Sequence, residues 1–356
     1  MKQAVAIIAA LIAALVSGRA EETKQIIDLR GSWKFEIGDN KQWADPKFDD
    51  SKWGEIFVPA DWENEGYAGY DGYAWYRKNF TIPQSAQNKT LYFHLLVDDV
   101  CAVYINGNLI GEGGKFPPHY ETAYNVTNKF SIPSKYLRFN QQNVVAVRVY
   151  DDYLHGGIVS GRVGIFEHKS EIEFTVKFPE LWKFKSGDEL EWKKPNFDDS
   201  RWQEVIVPAK WDFQGYRDYD GFAWYRVTFD VPSNLKNDDY VLMLGKIDDI
   251  DEAYLNGEMI GRTGRIRSDG SVRKINDEYQ RFRSYEIPKG SLKVGQKNVL
   301  AVRVYDHYSW GGIYEGPIGI VKERDFRKWE SRHNNNDNWD SSDKFQRLMD
   351  KIFNDD

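Results

Sequence analysis

Residues 43–83 read WADPKFDDSKWGEIFVPADWENEGYAGYDGYAWYRKNFTIP, and this stretch decides the fold because it occurs twice. Residues 192–232 repeat it at a constant offset of 149, with 23 of 41 positions identical. A repeat of this length is typical of a whole structural unit rather than of a short motif. The sequence therefore predicts two copies of one domain in tandem.

The repeat continues towards the C-terminus of each copy. Tyr104-Ile105-Asn106-Gly107 recurs as Tyr254-Leu255-Asn256-Gly257, Val147 to Asp151 as Val302 to Asp306, and Gly156-Gly157-Ile158 as Gly311-Gly312-Ile313. The offset grows from 149 to 155 between these blocks, which predicts a longer loop around residues 262–280 of the second copy. Loops tolerate insertions and often set ligand specificity.

Each copy reads as short strands joined by turns. Residues 90–96 and 100–105 are rich in β-branched and aromatic side chains, and Asn106-Gly107 is a strong hairpin signal because both turn positions need a positive φ. Neither copy shows sustained helical periodicity. These features predict an all-β chain of two tandem β-sandwich domains with jelly-roll topology.

The predicted boundaries are a signal peptide at residues 1–20, a first sandwich at 21–170, a second at 171–322 and a tail at 323–356. Lys2, the apolar run from Ala4 to Val16 and the small residues before Glu21 indicate the signal peptide. That run is too short to span a bilayer well, and no later segment is long and apolar enough to do so. The sequence therefore predicts an exported protein, secreted or periplasmic, without a membrane span.

The tail is predicted to be a polar linker followed by a short amphipathic helix. Residues 322–341 are polar and Asn-rich, with Trp329 and Trp339 as isolated anchors. The apolar side chains that follow fall on one helix face; they are Phe345, Leu348, Met349, Ile352 and Phe353. Two interpretations stay open, a helix that docks on its own sandwich and a helix that binds a partner.

The composition argues against several classes of partner. A formal net charge of −7, without any long run of Lys and Arg, gives no electrostatic footprint for nucleic acid or anionic lipid. Aromatic residues make up 15% of the chain, enough to pack two cores and leave rings that could stack on a ligand. Cys101 is the only cysteine, and Asp251 stands in its place in the second copy, which predicts an inert thiol.

Taken in order, the motifs resemble the galactose-binding-like jelly-roll domain found at the N-terminus of family 2 glycoside hydrolases of the β-galactosidase type. The matching segments of the first copy, each repeated in the second, are Phe48-Asp49-Asp50-Ser51-Lys52-Trp53, Val58-Pro59-Ala60-Asp61-Trp62, Trp75-Tyr76-Arg77, Tyr104-Ile105-Asn106-Gly107 and Gly156-Gly157-Ile158. In such hydrolases the chemistry belongs to a separate (β/α)₈ barrel, which needs about 250 residues. Two sandwiches leave no room for a barrel in this sequence, so the resemblance implies sugar binding or support of an active site built elsewhere.

Two loop clusters combine aromatic rings with polar groups, which is what a sugar site requires. The first comprises Asp152, Tyr153 and His155, matched in the second copy by His307, Tyr308 and Trp310. The Gly-Gly pair that follows is expected to let the backbone approach a ligand closely. The second cluster comprises Trp62, Tyr67, Tyr70 and Asp71, matched by Trp211, Tyr216, Tyr219 and Asp220. The alternative, that both clusters are aromatic lids closing the sandwich, stays open.

Trp75-Tyr76-Arg77 and the turn Phe48-Asp49-Asp50-Ser51 are interpreted as structural instead. A strand places Tyr76 on the face opposite to Trp75 and Arg77, so at least one ring must be buried. The Asp and Ser side chains of the turn are expected to bond their own backbone.

Few features of the sequence indicate catalysis. The six histidines show no metal-ligand spacing, and no nucleophile-elbow or phosphate-binding motif occurs. The pairs Asp98-Asp99 and Asp248-Asp249 start strands, which suggests solvated or turn-bonded carboxylates. We therefore assign no catalytic residue, no metal ligand and no cofactor. A structural calcium ion is compatible with such sandwiches, although no acidic loop of the EF-hand kind is present.

The sequence favours an exported, non-catalytic protein that binds an oligo- or polysaccharide through two modules and acts beside glycan-degrading enzymes. Two weak sites on one chain would gain avidity on a polymer. The first alternative is a glycoside hydrolase of the β-galactosidase type with a pair of carboxylates on or between the sandwiches. The second alternative is a structural module for protein interaction.

Overall fold

The computed structural model describes residues 23–267, 270–272 and 277–333. The predicted signal peptide and the helix predicted at 345–353 lie outside these residues. The chain divides into two compact units between Lys169 and Ser170, called module 1 and module 2 below, and each is described by itself. Among the described residues no helix has the length and apolar character needed to cross a membrane.

Module 1 is built from antiparallel strands. Their bounds are Thr23–Asp28 (β1), Gly31–Ile37 (β2), Gly54–Val58 (β3), Gly72–Thr81 (β4), Leu91–Asp98 (β5), Val100–Ile105 (β6), Asn108–Gly113 (β7), Thr127–Ser131 (β8), Gln142–Asp151 (β9) and Gly157–His168 (β10). They form a six-stranded sheet in the order β3-β2-β4-β9-β6-β7 and a four-stranded sheet in the order β1-β10-β5-β8. Two sheets of this kind bury a core between their facing sides.

Module 2 repeats this arrangement. Its strands are Leu181–Ser186 (β11), Gln203–Ile206 (β12), Gly221–Asp230 (β13), Tyr240–Asp248 (β14), Ile250–Leu255 (β15), Glu258–Thr263 (β16), Phe282–Ile287 (β17), Lys297–Asp306 (β18) and Gly312–Lys322 (β19). The sheets run in the orders β12-β11-β13-β18-β15-β16 and β17-β14-β19, so the larger sheets of the two modules correspond strand for strand. The prediction of two tandem all-β sandwiches is confirmed.

Short 3-10 helices occupy several connections. They are Lys41–Ala44, Trp62–Glu65, Gln84–Ala86, Ser134–Tyr136, Leu190–Lys193, Trp211–Gln214 and Glu278–Gln280. The predicted hairpin turn joins β6 to β7, where Asn106 and Gly107 have φ of 50° and 83°. This positive pair matches the twist of the flanking strands.

Strand β4 carries the block interpreted as structural, and all three of its side chains are buried. Tyr76 packs into the core against Phe35, with ring centroids 4.8 Å apart. On the opposite face, Arg77 donates from Nε to Asp50 at 2.8 Å, and its guanidinium lies over the ring of Phe48. The structural interpretation of Trp75-Tyr76-Arg77 is therefore confirmed.

The 48–51 turn and the cysteine also follow expectation. The backbone N–H of Ser51 donates to Asp49 at 3.0 Å, and Ser200 donates to Asp198 at the same distance in module 2. Cys101 is fully buried, and burial raises the pKa of its thiol to about 12. A thiol in that state is unreactive at neutral pH.

The start of the tail differs from the prediction. Residues expected to form a polar linker instead form helix α1, Glu323–His333. Phe326 and Trp329 are buried in a cluster with Met243, and the ring of Trp329 lies 4.8 Å from that of Phe282. The composition hid the helix because only these two aromatic side chains, three positions apart, mark its apolar face.

Candidate functional site

An exposed aromatic ring lies in the connection from β9 to β10 of module 1 and in the equivalent connection from β18 to β19 of module 2. We call residues 151–157 loop L1 and the equivalent residues 306–312 of module 2 loop L2. Tyr153 in L1 is 72% exposed, and Tyr308 in L2 is 79% exposed. Both rings therefore offer an open face at equivalent positions, as a surface that stacks on a ligand must.

The surroundings of these two rings differ between the loops. In L1, His155 is exposed and its Nδ1 lies 3.6 Å from the carboxylate of Asp61. In L2, the partly buried Trp310 packs on Phe213 with centroids 4.9 Å apart, and the ammonium of Lys210 lies 4.3 Å from the Trp310 ring. L2 therefore presents more aromatic surface than L1.

Polar side chains accompany the rings. Asp152 is exposed and accepts a hydrogen bond from the hydroxyl of Tyr150 at 3.0 Å, and His307 is exposed at the equivalent position. The first predicted cluster thus lies together on the surface of each module.

The glycine pair has a different role from the one predicted. A Cβ at Gly156 would lie 2.1 Å from the ring of Trp62, and a Cβ at Gly311 would lie 2.1 Å from the ring of Trp211. These glycines are needed because an indole occupies the space of a side chain. The expectation that the glycine pair lets a ligand approach the backbone is therefore corrected. The first glycine of each pair instead makes room for a buried tryptophan ring.

We expect Gly311→Ala to lower the free energy of unfolding of module 2 by about 1–3 kcal/mol, because the added methyl overlaps the Trp211 ring and neither can move freely in a packed core. Urea unfolding followed by tryptophan fluorescence measures this. The control is Gly316→Ala, whose Cβ would meet nothing closer than 3.6 Å. Equal stability of the two variants would contradict the explanation.

The tryptophans of the second predicted cluster belong to the core. Trp62 and Trp211 are 0% exposed, and their indole N–H groups donate to the carbonyls of Tyr70 and Tyr219 at 3.0 and 3.2 Å. A ring without an exposed face cannot stack on a sugar. Their inclusion among the ligand-binding residues is therefore corrected.

The tyrosines of that cluster are partly buried and bonded to the scaffold. The hydroxyl of Tyr70 donates to the carbonyl of Tyr73 at 2.7 Å, and Tyr219 donates to that of Phe222 at 2.6 Å. These bonds hold the turn that leads into β4 in module 1 and into β13 in module 2.

Tyr67 and Tyr216 pack edge-on against Phe35 and Phe184, at centroid distances of 4.7 and 4.4 Å. Tyr216 also lines a cavity of about 350 Å³ in module 2. Only Asp71 and Asp220 of the second cluster are exposed. The second cluster is thus mainly scaffold.

Three aspartates at the base of each loop form a group that the sequence did not reveal as a site. The triad of module 1 is Asp98, Asp99 and Asp151, and the triad of module 2 is Asp248, Asp249 and Asp306. In each triad, one carboxylate oxygen from every residue lies within 4.8 Å of those of the other two. The repeat contained the signal, since all three positions of the first triad are aspartate again in the second.

Strand register brings the triad together. Strand β9 ends at Asp151 and pairs with β6, which begins just after Asp99; Tyr150 lies opposite Val100. Asp98, at the end of β5, lies opposite Gly157 at the start of β10. The triad therefore sits where both sheets of module 1 end, and the same pairings recur in module 2.

The acidic pairs are less solvated than the sequence suggested. Asp99 is 8% exposed and accepts hydrogen bonds from the hydroxyl of Thr122 at 2.7 Å and from the backbone N–H of Asp152 at 2.9 Å. Asp249 is also 8% exposed and accepts from the N–H of His307 at 3.0 Å. Of the two interpretations from the sequence, solvated or turn-bonded, these two residues fit the second, because they hold the loops by hydrogen bonds.

Asp151 and Asp306 are more unusual. Both are 0% exposed, and neither carboxylate has a hydrogen-bond donor among the described residues. Burial, followed by the negative charge of the neighbouring aspartates, raises the pKa of Asp151 to about 8 and that of Asp306 to about 7. A buried carboxylate of this kind requires a proton or a cation as its partner.

Comparison with known proteins shows which family this architecture belongs to. A family model described as the second all-beta domain of beta-galactosidase matches residues 38–153 and 187–308, one segment in each module. These segments cover more than half of the chain. The chain belongs to this family. Its two modules are β-sandwich domains of the kind found as accessory domains in family 2 glycoside hydrolases, as the sequence resemblance implied.

Individual relatives are much longer than the matched region. A β-galactosidase of Bacteroides ovatus is 30% identical over 137 residues, which are 34% of this chain and 15% of the relative. A putative β-glucuronidase of Formosa agariphila is 31% identical over 146 residues, 37% of this chain and 13% of the relative. The crystal structure of a Bacteroides uniformis β-glucuronidase covers 80% of this chain with 28% of its own, at 19% identity and a TM-score of 0.35.

Proposed function

We propose that this protein is an exported, non-catalytic carbohydrate-binding protein that presents one sugar-binding loop on each module and acts beside glycan-degrading enzymes. The observation that carries the proposal is the pair of exposed rings, Tyr153 and Tyr308, at equivalent positions on L1 and L2. The family relationship supports a ligand that is a glycan.

The loops are held at both ends, which favours binding. At its start, the N–H of Asp152 donates to Asp99, and near its end the N–H of Gly156 donates to Glu63 at 3.2 Å. In L2 the N–H of Gly311 donates to Asp212 at 2.9 Å. A pre-ordered loop loses little conformational entropy on binding, so a stacking ring on it contributes more of its contact energy to affinity.

The chemistry around each ring fits a pyranose. The face of a tyrosine stacks on sugar C–H groups, while Asp152 in L1 and His307 in L2 can bond hydroxyls. L2 adds Trp310 and Lys210 where L1 has His155, so we expect the two modules to differ in the sugar that each prefers. Simultaneous binding to one polymer would add avidity.

We expect the double variant Tyr308→Ala/Trp310→Ala to weaken binding at L2 by at least about tenfold, because two stacking surfaces are lost. Glycan-array screening of the wild-type chain identifies the ligand, and titration calorimetry with that ligand measures the loss. The control is Phe57→Ala, which removes a ring that is 55% exposed on β3 and belongs to neither L1 nor L2. Absence of binding to every glycan tested would instead favour the structural role.

Hydrolysis is the second candidate, because the raised pKa of Asp151 and Asp306 lies in the range of a general acid. Their complete burial argues against it, since a general acid must reach the glycosidic oxygen. Incubation with a panel of chromogenic glycosides tests this directly. Turnover that is lost in Asp98→Asn, which alters the partly exposed member of the first triad, would overturn the non-catalytic proposal.

A further inference from the structure

We propose that each module binds one calcium ion through its aspartate triad, Asp98, Asp99 and Asp151 in module 1 and Asp248, Asp249 and Asp306 in module 2. The residues that carry this site are distinct from the exposed rings of the proposed sugar surface. Calcium binding can therefore be tested whether or not the loops bind a glycan.

The geometry of the triad suits a hard divalent cation. Three oxygens from three carboxylates all lie within 4.8 Å of one another, and 4.8 Å is the separation of two oxygens on opposite sides of an ion bound at about 2.4 Å. The triads contain only carboxylates, without the His or Cys ligands that favour zinc or copper. Calcium accepts such an irregular oxygen set more readily than magnesium, which demands shorter distances and octahedral geometry.

The unpartnered carboxylates point independently to a ligand. Asp151 and Asp306 are 0% exposed, and all four of their oxygens lack a hydrogen-bond donor among the residues that the structure describes. Polar groups buried in this way are rare in native proteins because their desolvation is not offset. A cation inside the triad supplies the missing partner.

The duplication strengthens the argument. The modules have diverged at nearby core positions, for example from Cys101 to Asp251, yet both keep three carboxylates and leave the same member of the triad without a donor. In a single triad, a proton shared between two carboxylates could offset the cost of burying the third without a hydrogen-bond donor. Two copies of it, each at the base of an exposed loop, are better explained by a common ligand.

The ion would also affect the loops. Asp99 already accepts hydrogen bonds from Thr122 and from the first residue after β9, and Asp249 accepts one from His307. A cation that fixes these carboxylates would tie the end of β5, the end of β9 and the loop into one unit. Hydrogen exchange in L1 and L2 is therefore expected to slow on calcium binding.

The test uses the full chain, freed of metal with EDTA and titrated with calcium chloride by calorimetry and by thermal unfolding. We expect two calcium ions per chain, one for each triad. At a calcium concentration about a hundred times the dissociation constant, the melting temperature should rise by about 5 °C or more.

Removing the unpartnered carboxylate gives the sharpest variants. Asp151→Asn and Asp306→Asn should each leave one bound ion, and the double variant none. In EDTA the double variant should melt at or above the wild type because folding no longer requires two buried carboxyl groups to take up protons, whereas in calcium it should melt below. Asp98→Asn serves as a second variant if either of these fails to fold, and Asp230→Asn, which alters a carboxylate 76% exposed, is the control that should keep both ions.

Two results would overturn the proposal. If the wild type takes up no calcium and melts at the same temperature with and without it, the triads share a proton instead. If the Asp151→Asn/Asp306→Asn variant still binds two ions, calcium is held elsewhere.

Discussion

Replacing Arg283 with methionine is expected to lower the free energy of unfolding of module 2 by about 3–5 kcal/mol, the usual cost of breaking a fully buried ion pair. Arg283 and Asp251 are both 0% exposed at the side chain, and the guanidinium donates from Nε to the carboxylate at 2.9 Å. Without Arg283, the hydroxyl of Tyr285, 2.7 Å from Asp251, is the main donor left to that carboxylate. Urea unfolding followed by circular dichroism and tryptophan fluorescence measures the loss.

Module 1 supplies the control for this prediction. It has Cys101 in place of Asp251, and next to Cys101 the side chain of Asn128 fills the space above Gly113. The double variant Asp251→Cys/Arg283→Asn therefore introduces the uncharged residue types of module 1, next to Thr263 where module 1 has Gly113. We expect it to recover part of the stability, because no charge is then left buried without a partner. A loss below about 1 kcal/mol for Arg283→Met would mean that water reaches the pair.

The fold was predictable because its determinants are local and occur twice. A few adjacent residues are enough to predict each local feature: the positive φ at Asn106-Gly107, the turn at Asp49 and the alternation of buried faces around Tyr76. The start of α1 was missed for the opposite reason. Phe326 and Trp329 acquire their role only from Phe282 and Met243, which lie in distant strands.

The aromatic loop was predictable only in part. Trp62 and Tyr153 are both large rings beside polar residues in the sequence. Composition cannot show that Trp62 is buried beneath Gly156 while Tyr153 is exposed to solvent. The space that a glycine leaves for an indole is a property of the tertiary structure. The sequence therefore identified the residues around each loop but could not say which of them face outward.

The acidic triad was hidden by separation along the chain. Asp99 precedes Asp151 by more than fifty residues, and only the pairing of β6 with β9 brings their carboxylates together. The sequence left two interpretations of each acidic pair open, solvated or turn-bonded carboxylates. It could not indicate the third aspartate, because that residue lies at the end of a strand distant in sequence.

In calcium-free buffer the protein is expected to lose stability as the pH rises from about 4 to about 8. The pKa of Asp151 is about 8 in the folded chain, against an ordinary value of 3.8, so between these values the folded state holds a proton that the unfolded state has released. Stability falls with pH wherever the folded state binds more protons. A difference of one pKa unit corresponds to about 1.4 kcal/mol, so the loss is on the order of several kcal/mol in module 1 and smaller in module 2, where the pKa of Asp306 is about 7.

Unfolding in urea with EDTA at pH 5 and at pH 8 measures this loss. The Asp151→Asn/Asp306→Asn variant should lose less stability over the same range, with the remainder due to Asp98 and Asp248, whose pKa values burial also raises. Calcium should abolish the dependence, since a bound cation favours the ionised carboxylates and competes with their protons. The calcium-induced rise in melting temperature should accordingly be larger at pH 8 than at pH 5. Wild-type stability that is unchanged over this range in EDTA would mean that the triad is solvated in the free protein, and the physical reason for a cation at its centre would be lost.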